Sequence, residues 1–290
     1  MSFSGLINVS KPGGLTSRAV VDRVQRLVRP AKAGHAGTLD PLATGVLIVC
    51  VGAATRLIEY VQRMPKRYTG MFLLGRQSPT EDIEGEITEL ADARQPTGDE
   101  LLAATRRLTG TILQRPPQFS ALKVAGRRAY DLARRGESVD LAPREVTIHE
   151  CRLIEYEYPR LVLEIQCSSG TYVRSLGRDL AESVGSSAVM SALERTAIGH
   201  FTLDGAWPLE RLEPATVQQA MLAPAEAVRE LARIQLMPPA ALRIARGQTI
   251  VASGSAAADE FAAFDEQGRL VSILGRRADG SLGPLRNLPV

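Results

Sequence analysis

Short apolar stretches recur along the chain in two different rhythms, which predict strands alternating with helices. GLINV (5–9) and GVLIVCVG (45–52) are continuous apolar runs typical of buried strands. Between them, apolar residues three and four positions apart predict an amphipathic helix at about 17–29. At 66–75 the rhythm changes to a period of two, which predicts a strand with one buried face.

The middle of the chain is rich in β-forming residues. Two long runs, 144–158 and 160–170, precede a helical pattern at 171–185 that ends at a glycine, and 187–203 returns to a strand pattern. This mixture of long strands and shorter helices predicts a fold of the α/β (α+β) class.

Two segments differ from the rest. The basic segment at about 110–142 contains a proline break, and we expect it to be an excursion from the core and not part of a sheet. The last segment, 237–290, consists of short apolar runs joined by Asp/Gly turns, which predicts a small all-β module. The expected division is therefore a domain at 1–232, carrying the insertion, and a second domain at 237–290.

Composition limits the classes of function. The apolar content of 44% and the charged content of 23% are those of a soluble globular protein. No apolar run reaches about 18 residues and no basic-then-apolar leader opens the chain, so we expect no membrane span and a cytoplasmic protein. The three cysteines form no CxxC, and neither GxGxxG nor GxxxxGK[ST] occurs, so we expect neither a metal nor a nucleotide cofactor.

Charge is unevenly distributed although the net charge is only +3. Residues 1–70 and 115–135 are strongly basic, whereas the acidic residues gather at 81–100. This distribution predicts a face that binds a polyanion and an acidic back. The basic clusters could equally be solvated helix faces.

One carboxylate stands out in GHAGTLDPLATG (34–45). Asp40 precedes Pro41, whose ring favours extended geometry at the residue before it, and the surrounding glycines permit tight turns. An active-site carboxylate is often presented in this way. A helix N-cap followed by proline at the first helical position has the same appearance, and both interpretations stay open.

Three other short segments place an isolated polar or aromatic residue among small ones: Lys11 in VSKPGGLTS, Tyr68 in KRYTG, and Tyr172 with Arg174 in SSGTYVRSLG. Each has a structural alternative. Tyr68 could be a core tyrosine with its hydroxyl at the rim, Tyr172 a residue at a strand-to-helix junction, and Arg174 an ordinary helix-surface arginine.

Together these motifs resemble the TruB family of pseudouridine synthases, bacterial enzymes that isomerise uridine 55 in the T-loop of tRNA. GHAGTLDPLATGVL is similar to the family's characteristic segment. VSKPGGLTS, KRYTGMFLLG, QRPPQFSALKVAGRRAYDLARRG, CSSGTYVRSLGRDL and ALERTAIGHF follow the family's order, so that the resemblance covers about 5–205. The C-terminal module loosely resembles the family's small PUA domain.

The resemblance implies a mixed, mainly antiparallel sheet flanked by helices, an inserted segment that grips RNA, and a PUA-like C-terminal domain. It implies that Asp40 acts on the ribose and that Arg174 pairs with it. Tyr68, Tyr172 and Leu193 would line the uracil pocket. The expected partner is the T-stem-loop of tRNA, and we expect a monomer with no cofactor and no obligatory protein partner.

RNA contacts are also implied. His35 would fill the space that the flipped base leaves in the loop. The cations expected to contact the RNA backbone are Lys11, Arg127, Arg128 and Arg134.

Two other functions remain to be weighed. A non-catalytic protein that binds or folds RNA would account for the basic segments alone. A hydrolase that cleaves a glycosidic bond would normally use two carboxylates. No second carboxylate stands in any of the matched motifs, which argues against the hydrolase.

Overall fold

The computed structural model describes residues 3–119, 123–124, 127–128, 141–251 and 258–288. Across these residues no helix is both long and apolar enough to cross a membrane. The α-helices within the same ranges are α1 (Ser17–Leu27), α2 (Ile58–Arg63), α3 (Gly98–Arg107), α4 (Val173–Ser183) and α5 (Pro238–Ala245). Short 3-10 helices lie at Gly52–Leu57, Leu209–Arg211 and Pro224–Val228.

The strands of the described chain fall into one large sheet, one four-stranded sheet and two short hairpins. They are β1 (Gly5–Lys11), β2 (Ala33–His35), β3 (Thr44–Val51), β4 (Lys66–Leu74), β5 (Arg76–Gln77), β6 (Thr88–Glu89), β7 (Gly110–Gln114), β8 (Lys123–Val124), β9 (Arg127–Arg128), β10 (Arg144–Glu157), β11 (Arg160–Cys167), β12 (Ala188–Ile198), β13 (Phe201–Thr202), β14 (Trp207–Pro208), β15 (Ala232–Gln235), β16 (Glu260–Phe264), β17 (Leu270–Arg276) and β18 (Leu282–Asn287).

The large sheet has the order β14-β1-β3-β12-β4-β11-β10-β7, with β2 paired to β3 and β13 paired to β12. The pairs β1/β14 and β3/β12 are parallel, and the other pairs in this sheet are antiparallel. The predicted fold class, α/β with a mixed and mainly antiparallel sheet, is therefore confirmed.

Strand β4 runs through the middle of this sheet. Its residues from Lys66 to Leu74 are buried at every second position, as the period-two pattern predicts. The ring of Phe72 is fully buried and lies against α4, where a Cβ added to Gly177 would overlap it. The absence of a side chain at Gly177 thus lets α4 pack directly on β4.

The insertion begins later than the sequence analysis predicted. Gly110–Gln114 is not part of an excursion; it is the edge strand β7, which pairs with β10 from Gly110↔Ile148 to Gln114↔Arg144. Thr111 and Ile112 are β-branched and the proline break comes only at Pro116, so nothing prevents strand pairing before it. Much of the remaining insertion, 120–122, 125–126 and 129–140, lies outside the described residues.

The C-terminal sheet has the order β15-β16-β17-β18, and strands β16 to β18 agree with the predicted small β module. Strand β15 (Ala232–Gln235) pairs with β16 but lies before the predicted boundary at 237, so the module begins earlier than predicted. The structure adds one helix, α5, where only strands were predicted. Pro238 and Pro239 occupy its first turn, where a missing N–H costs nothing, and alanine and leucine follow. The module contacts α2 through the ion pair Arg63–Glu260, at 3.3 Å, and shares an apolar cluster with the larger sheet.

Candidate active site

A cavity of about 330 Å³ lies between the loop that precedes β3, the central strands β4 and β12, and the first turn of α4. Five residues that the sequence analysis assigned to catalysis or uracil binding line it: Asp40, Tyr68, Tyr172, Arg174 and Leu193. They come from positions far apart in the chain, so the fold brings together what the separate motifs could not place.

Asp40 lies in a turn and not at the start of a helix. The Ala43 N–H donates to the Asp40 carbonyl at 3.1 Å, and β3 follows from Thr44. The helix N-cap interpretation of this motif is therefore wrong. Ser17 fixes the preceding residue by donating to the Leu39 carbonyl at 3.1 Å and accepting from the Leu39 N–H at 2.8 Å.

Lys11 has a different place from the one predicted. It is only 1% exposed, and its amine donates to the carbonyls of Pro12 and Pro41 at 2.9 and 3.2 Å. Burial lowers the pKa of this amine to about 8. Lys11 therefore holds the turn that follows Asp40 from inside the protein, and the predicted contact with the RNA backbone is wrong because the amine is not at the surface.

Arg174 links two carboxylates. Its Nε lies 3.1 Å from Oδ2 of Asp40, and its Nη1 lies 3.3 Å from Oδ2 of Asp82. The side chain is 7% exposed, and Nη1 also donates to the Thr80 carbonyl at 2.6 Å. The helix-surface alternative for Arg174 is thus excluded, and its guanidinium is oriented so that one edge faces Asp40.

Asp82 was missed by the sequence analysis, which placed the acidic segment 81–100 at the back of the protein. Oδ1 of Asp82 accepts from Thr80 Oγ1 at 2.6 Å and from the Glu84 N–H at 3.1 Å. Its neighbour Glu81 accepts from Ser175 Oγ at 2.7 Å. The start of the acidic segment therefore contacts α4 behind the cavity. Contacts between segments so distant in sequence leave no local pattern that could have revealed them.

Electrostatics at Asp40 combine opposing effects. Burial raises the pKa of this carboxyl, the charge of Asp82 adds to that rise, and Arg174 and Lys11 oppose it. The net direction is upward. Arg174 therefore favours the ionised form of Asp40 without fully offsetting the desolvation.

The aromatic and apolar walls are supplied by three elements. Tyr68 on β4 is 8% exposed, and burial raises the pKa of its hydroxyl. Leu193 on β12 is 7% exposed and pairs with Gly70 across the sheet. Tyr172 precedes α4, and its N–H and carbonyl bond to the side chain of Gln114 at 2.8 and 3.1 Å. The edge strand β7 thus fixes the entry into α4.

Two buried cations in the cavity lining, Arg195 and Lys66, were also missed. Arg195 is 1% exposed and donates to the carbonyls of Val46, Gly37 and Thr38 at 2.7, 3.2 and 3.4 Å. It belongs to ALERTAIGHF, from which the sequence analysis drew only Leu193. The arginine two positions after Leu193 in that motif was the available signal.

The remaining predicted residues are not brought to the cavity lining. His35 lies in β2, half-buried, and burial together with Arg195 lowers the pKa of its imidazole. The backbone of Arg127 and Arg128 forms β9. Their side chains, and all of Arg134, lie outside the described residues, so their RNA contacts stay predictions. Within the described ranges no group of three or more His, Cys, Asp or Glu side chains could hold a metal ion.

Known proteins are similar to this chain in sequence and in fold. A chain of Moorella thermoacetica named tRNA pseudouridine synthase B is 45% identical over 241 residues, which are 82% of this chain and 75% of that one. A protein of the same name from an Arthrobacter species is 42% identical over 286 residues, 94% of this chain and 92% of that one.

A chain in the structure of an H/ACA RNP bound to a substrate RNA containing 2′-deoxyuridine has the same fold, with a TM-score of 0.75, at 21% identity, over 99% of this chain and 85% of that one. The model of the TruB family pseudouridylate synthase N-terminal domain matches residues 25–173. The chain therefore belongs to the TruB family of pseudouridylate synthases.

Proposed function

We propose that this protein isomerises uridine to pseudouridine in the T-loop of tRNA, at position 55. Membership of the family and the relatives named tRNA pseudouridine synthase B support a tRNA-modifying isomerase. The observation that carries the proposal is a single reactive carboxylate, Asp40, held at 3.1 Å from Arg174 in a cavity with tyrosine and leucine walls.

The reaction breaks the N1–C1′ bond of uridine, turns the uracil and joins C5 to C1′. Reactant and product are isomers, so no oxidant, reductant or cofactor is consumed. Asp40 acts on the ribose, either by attacking C1′ or by helping to remove the C2′ proton. Both routes require the ionised carboxylate, which Arg174 stabilises.

The target base must leave its stack to reach Asp40, which costs a few kcal/mol. Stacking or edge contact with Tyr68 and Tyr172 can offset about 1–3 kcal/mol of this cost. Leu193 closes the wall, and His35 fills the space that the base leaves in the loop. Cations outside the cavity hold the phosphates, so affinity for tRNA falls as salt rises.

The hydrolase alternative becomes weaker once Asp82 is considered. A second carboxylate does lie behind Asp40, as a glycosidase would need. Its side chain is only 4% exposed, however, and both of its oxygens are bonded to protein groups. Asp82 does not line the cavity and is therefore not placed to activate a water molecule there.

The test uses unmodified tRNA that carries tritium at C5 of uracil. Formation of the C5–C1′ bond expels that hydrogen, so we expect tritium in the water, mapped to position 55. Free uracil would instead indicate the hydrolase. Tight binding of tRNA without tritium release would indicate a non-catalytic RNA-binding protein. A product at another uridine would contradict the T-loop assignment alone.

We further propose that the enzyme acts as a cytoplasmic monomer without an obligatory protein partner, and that the C-terminal module, from β15 onward, forms a PUA-like RNA-binding domain beside the catalytic domain that precedes it. Light scattering of the purified, active protein tests the oligomeric state. A dimer as the smallest active species would contradict it.

A further inference from the structure

Arg195 and Lys66 are buried charges without an acidic neighbour. Their exposed fractions are 1% and 6%, and among the described residues neither has a carboxylate within ion-pair distance, 4.0 Å. By contrast, Arg174 and Arg178, which also lie in or near the cavity, both contact carboxylates. Burying a charge without a counter-ion costs free energy. Two such cations in one cavity therefore indicate that the cavity binds an anion from outside the protein.

The strand register places both cations around Tyr68. Arg195 on β12 pairs directly with Tyr68 on β4, and Lys66 lies two residues before Tyr68 on the same buried face. All three side chains line the cavity that contains Asp40. The positive charge is therefore concentrated on the side where Tyr68 would contact the uracil.

We propose that Arg195 and Lys66 form a buried cationic floor under Tyr68 that stabilises the uracil anion formed in the reaction. The inference rests on the proposed function. When the N1–C1′ bond breaks, its electron pair stays on the uracil, which then carries one negative charge. C5 supplies the electron pair for the new bond to C1′, the C5 proton leaves, and N1 takes up a proton. A fixed positive potential lowers the energy of that anion and needs no reorganisation.

A purely structural role makes different predictions. The Lys66 amine donates to the carbonyls of Gln62 and Met64 at the end of α2, the second at 2.7 Å, so it could serve only to cap that helix. Loss of a cap lowers stability. It does not lower the rate of the reaction in the folded, bound complex.

The experiment compares Lys66→Met, Lys66→Arg and Arg67→Met. Arg67 is the matched control, since it follows Lys66 on β4 but is exposed on the other face. With saturating tRNA in a single turnover, we expect Lys66→Met to lower the rate on the order of 10-fold, while the dissociation constant of tRNA changes less than about 2-fold. Lys66→Arg should restore most of the rate, and Arg67→Met should leave it unchanged.

A rate for Lys66→Met equal to that of the unmodified protein would overturn the proposal. So would a loss confined to tRNA affinity, which would indicate a phosphate site. Absence of tritium release from the unmodified protein would instead contradict the proposed function itself. Because Lys66→Met replaces a buried charge with an apolar side chain of similar length, the variant should fold, and its melting temperature checks this.

The pH dependence of the single-turnover rate tests whether the charge of Lys66 contributes to the reaction. Burial and then the charge of Arg195 lower the pKa of Lys66 to about 8. The groups that face this amine across the sheet are Arg195 on β12 and Cys167 on β11, whose thiol pKa burial raises to about 11, so Cys167 stays neutral near pH 8. We expect the rate of Lys66→Arg, divided by the rate of the protein without a substitution, to rise above pH 8, because lysine loses its charge there and arginine does not. The other amine with a pKa of about 8, Lys11, is present in both proteins and cancels in the ratio. A ratio that is constant with pH would overturn the proposal.

Discussion

Two cavities of this molecule differ in the number of charged side chains that are buried in their walls. The cavity at Asp40 measures about 330 Å³ and contains the buried charges of Lys66, Arg174 and Arg195. The second cavity, about 670 Å³, lies between α5 and the C-terminal sheet and has walls such as Leu236, Ile244 and Val271. Of its charged lining residues, Arg56, Glu266 and Arg269 are exposed, and Asp265 is buried but paired with Arg269 at 2.7 Å. The smaller cavity, with more buried charges, is the one in which we propose that the reaction takes place.

The difference follows from the cost of burying charge. An exposed arginine can be placed anywhere on a surface at little cost, whereas a buried one requires hydrogen bonds for its donors. In the cavity at Asp40, Arg174 donates to the Thr80 carbonyl and pairs with Asp82. Arg195 donates to the carbonyls of residues 37, 38 and 46. Sites that concentrate such charges are candidates for function because structure alone does not need them.

The largest expected effect comes from Asp40→Asn. The amide keeps the size of the side chain but removes the reacting charge, so tritium release should fall by about 10³-fold or more. Binding of tRNA should persist, as measured by filter retention. Undiminished release in this variant would mean that the smaller cavity does not owe its reactivity to Asp40.

A smaller loss is expected for Arg174→Lys. Lysine keeps a positive charge but cannot face Asp40 with Nε and Asp82 with Nη1 at the same time. The single-turnover rate should fall about 10²-fold, with little change in tRNA affinity. A rate equal to that of the unmodified protein would show that charge alone, without the fixed geometry, suffices in this cavity.

Asp82→Asn should move the pH dependence of the rate. The pKa of Asp40 is raised, and its ionised form is the active one, so activity is lost as pH falls through that raised value, at a higher pH than for an exposed aspartate. Removing the charge of Asp82 removes one cause of the rise, and the acid limb should shift to lower pH. Rate profiles from pH 4 to pH 8 measure this, and a shift to higher pH would contradict the assigned sign.

The smallest effect is expected at the second cavity. Arg56 is exposed and donates to the Asn287 carbonyl of the C-terminal module. Arg56→Ala should cost less than about 1 kcal/mol of unfolding free energy and leave the single-turnover rate unchanged. A loss of rate comparable to that of Arg174→Lys would remove the contrast between the two cavities.

The sequence predicted the strands of the main sheet well because their apolar rhythm is local. The buried run of β3 and the alternation along β4 need no information from elsewhere in the chain. Strand β7 was missed because the basic residues and prolines after it dominated the pattern, while its pairing with β10 is a distant contact.

The site was predicted only in part, for a similar reason. Asp40, Tyr68 and Arg174 lie in glycine-rich motifs that attract attention without a structure. Asp82 stands in an acidic run with nothing to distinguish it, and Lys11 looked like a surface cation. What separates these two from their neighbours is burial, which follows from the tertiary fold.

The root of the insertion is tied to the same helix that carries Arg174. Nη2 of Arg174 donates to the Phe119 carbonyl at 3.1 Å, and Nη2 of Arg178 donates to the Arg115 carbonyl at 3.1 Å. Together with Gln114, which bonds Tyr172 at both ends of its amide, these contacts anchor 114–119 along the first turns of α4. Any shift of the backbone at Phe119 would therefore disturb the guanidinium that faces Asp40, so that the geometry of this segment and that of the candidate site are coupled.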